Sequence, residues 1–238
     1  MSTSMTAATA LSGTRFAHAY WERFWFLSGI QFIGLFIVAM IIHGYQPAAG
    51  ASPGDLFAFY DAHRVRILMY AAISSVNLLN LLWFTAALRN TLANAGCDGW
   101  GAAATASSAA FGSLFLVGVS IEAAIAYAIA PSGDLALTSG LNDFVWALYT
   151  LSSFPRAMLI MSGVFGLWRA GLIPNSLFTV GVAAIVLALL GGTTWLSDGF
   201  WAPYGAYARF FSPAVLLLWV AAVSKVLLGR TSRQRGGW

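Results

Sequence analysis

Two charges stand alone in long apolar runs: Glu122 in "LVGVSIEAAIAYAIA" and Arg156 in "LSSFPRAMLIM". A charge at the centre of a membrane helix costs about 2.5–3.5 kcal/mol on insertion scales, so it demands a partner, water or a function. At 1.5 Å per residue, Glu122 lies roughly 12 Å from an apolar run's end at Ala130. By the same rise, Arg156 lies roughly 18 Å from a start near Phe144. Both depths fall near the middle of a bilayer. The short connection "APSGD" makes the two helices antiparallel neighbours, and the expectation is a Glu122–Arg156 ion pair. Pro155 removes a backbone donor and kinks its helix; Arg156, with five donors, is expected to serve the carbonyl so freed.

Other polar residues fall on helical stripes. Ser74, Asn77 and Asn80 follow one another at three-residue spacing, and Tyr149, Ser152, Ser153 and Arg156 share a second face. Their convergence predicts a small hydrated or ligand-binding cavity. Glu122 and Arg156 are its candidate catalytic groups, with Asn77, Asn80, Tyr149 and Ser153 as candidate ligand contacts. A structural reading stands beside this one. Amides and hydroxyls hold membrane helices together at about 0.6 kcal/mol each, and a buried ion pair can set helix register without any activity.

The elements that must position these groups are set by composition. The chain is 59% hydrophobic and only 8% charged, whereas soluble domains carry roughly a quarter charged residues. Such a chain cannot cover a water-facing surface, so the expected fold is an all-α integral membrane bundle. Six runs reach the ~20 residues a span requires: 24–44, 67–88, 105–130, 144–168, 172–195 and 207–228. Residues 1–23 form a cytoplasmic segment without the order of a signal peptide, 24–228 the membrane domain, and 229–238 a basic tail. With both termini inside, Arg15, Arg23, Arg89, Arg169, Lys225, Arg230, Arg233 and Arg235 lie inside, against Arg64, Arg66 and Arg209 outside. That asymmetry favours N-in, C-in and a multi-pass protein of the inner (plasma) membrane. One cysteine, and three histidines with no pair four apart, exclude a disulfide and the common metal motifs. The sequence identifies no cofactor and offers no nucleic-acid surface.

Related Gly-Asp-Leu corners in "SPGDLFAFY" and "APSGDLALT" suggest three helical hairpins. "DLFAFYDAHRVRILMY" has helical spacing, with Asp55 as the expected N-cap of a short interfacial helix. Ala104, Ser108 and Gly112, like Gly118, Glu122 and Ala126, recur every fourth position, a spacing that permits close helix packing.

"YWERFWFLSGIQFIGLFIVAMIIHG", "FAFYDAHRVRILMYAAI" and "LLWFTAALRNTL" together resemble a large group of bacterial six-helix membrane proteins of unassigned activity. The resemblance covers about the first hundred residues. It implies a multi-pass bundle and places Asp61, His63 and Arg64 in a recurring segment, which makes them further candidate ligand contacts. Three function classes follow. The first is a non-enzymatic protein, either an accessory subunit partnered with another membrane protein or a binder of a small lipophilic molecule. The second is an intramembrane enzyme acting on a lipid or isoprenoid with Glu122 as acid. The third is a proton-coupled transporter using Glu122.

Overall fold

The computed structural model describes residues 27–233, with side chains from 27 to 229. The expected cytoplasmic segment, the first residues of the first apolar run, and the tail side chains lie outside the described residues. Among the described residues there are helices and connections but no strand. In chain order they are α1 (Leu27–His43), α2 (Pro53–Ala62), α3 (Arg64–Asn94), α4 (Asp98–Ala124), α5 (Leu135–Leu151), α6 (Ser153–Arg169), α7 (Asn175–Leu190) and α8 (Ser212–Arg233). A π-helical turn, Ile125–Ile129, extends α4, and a second, Tyr207–Phe211, leads into α8.

Five helical stretches are long and apolar enough to cross a membrane: Arg64–Asn94, Asp98–Ser132, Leu135–Arg169, Asn175–Thr193 and Tyr207–Gly229. The apolar helix α1 is described for 17 residues, a length of about 25 Å. Three stretches exceed 30 residues, about 45 Å or more of helix, so they overhang α7.

Local chemistry explains where the helices begin. The N-cap of α2 is Ser52 rather than the expected Asp55. The Ser52 hydroxyl accepts from the Asp55 amide at 3.2 Å and donates to its carboxylate at 2.7 Å, which satisfies one of the helix's free first-turn amides. Asp134 caps α5 by accepting from the Leu137 amide at 2.9 Å. That cap starts the helix nine residues before Phe144, the start that hydropathy indicates. The α5–α6 break falls at Ser152, one turn before Pro155, as expected of a proline that cannot donate to the preceding turn.

Small residues set the packing. A Cβ on Gly29 would collide with the Ser224 hydroxyl and the Phe84 ring, so the first described turn of α1 lies tightly on α8 and α3. Both described chain ends therefore leave from one end of the bundle, and α2 covers the other. Gly112 fits against Leu78, and Gly101 against Arg89, which sets α3 antiparallel to α4. Ala104, Ser108 and Gly112 are all buried on that face, as the four-residue spacing predicts. The main apolar cluster includes Phe84, Leu88, Ile160, Val164, Leu216 and Trp219. A second cluster joins Leu56 and Tyr60 of α2 to Ile125, Ala126 and Ala130, so the amphipathic face of α2 packs on the π turn.

Candidate functional site

The register between α4 and α5–α6 decides the fate of the two lone charges. A Cβ on Gly118 would stand 2.7 Å from the Tyr149 ring, so these two residues are level. The Arg156 guanidinium lies 5.9 Å from the Phe111 ring centroid, seven residues further along each antiparallel helix. Glu122 and Arg156 are thus displaced by eleven residues of register, about 16 Å. The expected Glu122–Arg156 ion pair is not formed. α5 starts at Leu135, so Phe144 does not mark the start of that helix and Arg156 lies further along it than hydropathy indicates.

Glu122 pairs instead with His43, the last residue of α1. His43 Nε2 lies 3.1 Å from Glu122 Oε2, and the Tyr149 hydroxyl donates to Oε1 at 3.2 Å. Tyr70 completes the knot: its hydroxyl is 3.4 Å from that of Tyr149, and its ring packs on His43 with centroids 4.2 Å apart. Glu122 is 0% exposed. The knot lies at the end of α1, and the helical stretch that carries Glu122 continues ten residues past it to Ser132, about 15 Å.

The end of α1 is itself locked. Gly44 has φ 72°, and a Cβ there would strike the Arg66 guanidinium; only glycine serves both demands. Arg66 Nε donates to the Ile42 carbonyl at 3.0 Å. Beyond it, the connection to α2 is stitched to α5. Asn142 Oδ1 accepts from the Tyr60 hydroxyl at 3.1 Å and from Gln46 Nε2 at 3.3 Å, and Trp146 Nε1 donates to the Pro47 carbonyl at 3.0 Å. Burial, with the Glu122 charge behind it, pushes the Tyr60 hydroxyl well above its ordinary pKa, which keeps it a neutral donor.

Beside the knot lies a cavity of about 500 Å³. Its walls are mainly Phe36, Met40, Phe111, Phe115, Ala214 and Leu217, from α1, α4 and α8. Ile37, Ile41 and Phe210 also line it and are 47%, 72% and 58% exposed, which puts its opening sideways, between α1 and α8. His43, Tyr70 and Tyr149 reach it at the α2 end, whereas Glu122 behind them does not. Arg209 sits at that rim, donating to the carbonyls of Tyr204 at 3.0 Å and Gln46 at 2.8 Å, with its guanidinium 3.8 Å from the Tyr45 ring centroid.

Arg156 is a buried residue of the cavity wall. It is 6% exposed, its Nη2 donates to the Ser153 hydroxyl, and its buried Nε has no partner. Among the described residues no carboxylate lies within 4.0 Å of it. The expected service to the carbonyl freed by Pro155 is not made.

Of the polar residues expected at the site, Tyr149, Ser153 and Arg156 line the cavity. Ser74, Asn77 and Asn80 are buried between helices and do not, so the α3 stripe does not converge on it. Asp61, His63 and Arg64 lie at the α2–α3 corner, away from the cavity. There His63 Nδ1 is 2.9 Å from the Phe59 carbonyl, and Arg64 packs over the Tyr127 ring at 5.1 Å. His43, Tyr70 and Arg209 are the members that sequence reasoning missed. The legible signal for His43 was its position closing the first apolar run just before a glycine. Among the described residues no three of His, Cys, Asp and Glu stand together as metal ligands would. No family model, curated protein or solved structure matches the chain.

Proposed function

We propose that this chain crosses the inner membrane six times, with both termini inside, and binds a small lipophilic ligand in the cavity between α1, α5–α6 and α8. The carrying observation is the cavity itself, whose exposed rim of Ile37, Ile41 and Phe210 would face acyl chains in a bilayer. Its size falls within the ~300–1,000 Å³ of small-molecule sites. The first described turn of α1 packs on α8 at Ser224, and this, with the excess of arginine and lysine assigned to the inner segments, supports the orientation. An enzyme or transporter using Glu122 is disfavoured on the same geometry. That carboxylate has both oxygens engaged, is fully buried and does not border the cavity. A substrate in the cavity meets His43 and Tyr149 instead.

The test is occupancy. In dodecyl maltoside, native mass spectrometry with added oleyl alcohol is expected to show a saturable one-to-one adduct. Ala214→Trp, which fills the cavity mouth, is expected to weaken it about tenfold, the equivalent of ~1.4 kcal/mol. Non-saturable uptake that Ala214→Trp leaves unchanged would refute the reading.

A further inference from the structure

Arg156 carries a charge that the protein does not balance. Its guanidinium lies 5.9 Å from the Phe111 ring centroid, and among the described residues its side-chain hydrogen bond goes to neutral Ser153; Thr150, Ser152 and Leu216 line the same cavity. Tyr207, the other polar ring nearby, directs its hydroxyl to the Leu187 carbonyl at 2.6 Å. A guanidinium left this way bears its desolvation with little return, because a buried cation is normally paired. The side chain nevertheless reaches a cavity with room for another molecule. Arginine differs from the chain's other means of filling this space in one respect: its planar fork matches a carboxylate with two parallel hydrogen bonds.

Resting on the cavity-binding reading, we infer that the ligand is a single-chain lipophilic acid whose carboxylate pairs with Arg156. Its hydrocarbon chain runs along Phe36, Met40 and Leu217 toward the opening between α1 and α8. The polarity of the cavity fits this orientation, with one unpaired cation buried in its wall and an apolar exit to the side. Arg209 at the rim is the other cation on the cavity, but two backbone carbonyls and two aromatic rings already engage it.

The experiment compares oleate, oleyl alcohol and methyl oleate on the full-length protein in dodecyl maltoside at pH 8, by native mass spectrometry. Oleate is expected to bind at least about tenfold more tightly than the other two, since hydrogen bonds to charged groups contribute about 1.5–3 kcal/mol. Arg156→Gln should remove that preference, so that oleate and oleyl alcohol bind with similar affinity. Arg156→Lys should retain part of it, and Arg209→Gln most of it. Equal binding of all three by the wild-type protein overturns the carboxylate but leaves the cavity reading intact, and needs no variant. Preference that survives Arg156→Gln, or that disappears with Arg209→Gln instead, overturns the role of Arg156. Binding of none of the three overturns the cavity reading and this inference with it.

Discussion

Replacing His43 with leucine is expected to destabilise the protein by about 2–3 kcal/mol, the upper part of the range for leaving a buried polar group without its partner. Glu122 is 0% exposed and would keep only the Tyr149 hydroxyl. The cost is therefore that of a buried carboxylate short of a partner, not merely of a lost hydrogen bond. Glu122→Gln should cost less, about 1–2 kcal/mol, because an amide still offers Tyr149 an acceptor and His43 a donor. The double variant His43→Leu/Glu122→Leu should be more stable than the sum of its singles, since it removes both polar groups together. Unfolding in bicelles or mixed micelles measures all three. Strict additivity would mean that the 3.1 Å contact carries no coupling.

Arg156 should behave in the opposite sense. Arg156→Met is expected to stabilise the ligand-free protein by about 1–3 kcal/mol, as hydrophobic replacement of buried charge often does. It should also abolish any preference for an acidic ligand. Methionine fills the space beside Phe111 and adapts to irregular gaps, and no carboxylate is stranded by the change. A stability gain at a residue whose loss removes binding is the usual trade-off at a functional site. The same unfolding assay measures it; a loss of several kcal/mol would assign Arg156 to the scaffold. Because register separates Glu122 from Arg156 by about 16 Å, substitutions at the two sites should be additive.

This contrast shows what the sequence made legible. Apolar runs and their turn residues located the five long apolar helical stretches among the described residues, because bilayer thickness is written into run length. The four-residue spacing of Ala104, Ser108 and Gly112 located a packing face for the same kind of reason. Depth was the weak step. Hydropathy places the fourth run at Phe144, but the Asp134 cap starts the helix at Leu135, and nothing in the run's composition records that overhang. The error displaces one partner by two to three turns, which is enough to exchange Arg156 for His43. The polar residues Ser74, Asn77 and Asn80 show a second limit. A stripe at helical spacing fixes a face, while what that face meets depends on the packing of α3 against α4.

Uptake of an apolar chain by the lateral cavity is tested most directly by photolabelling the protein in native membranes with an oleic acid analogue carrying a diazirine near its chain end. The expected labels fall on Ile37, Ile41, Phe210 and Leu217, and excess oleate suppresses them. Labels spread over lipid-facing residues such as Val180 and Val186, with no suppression by oleate, would contradict it.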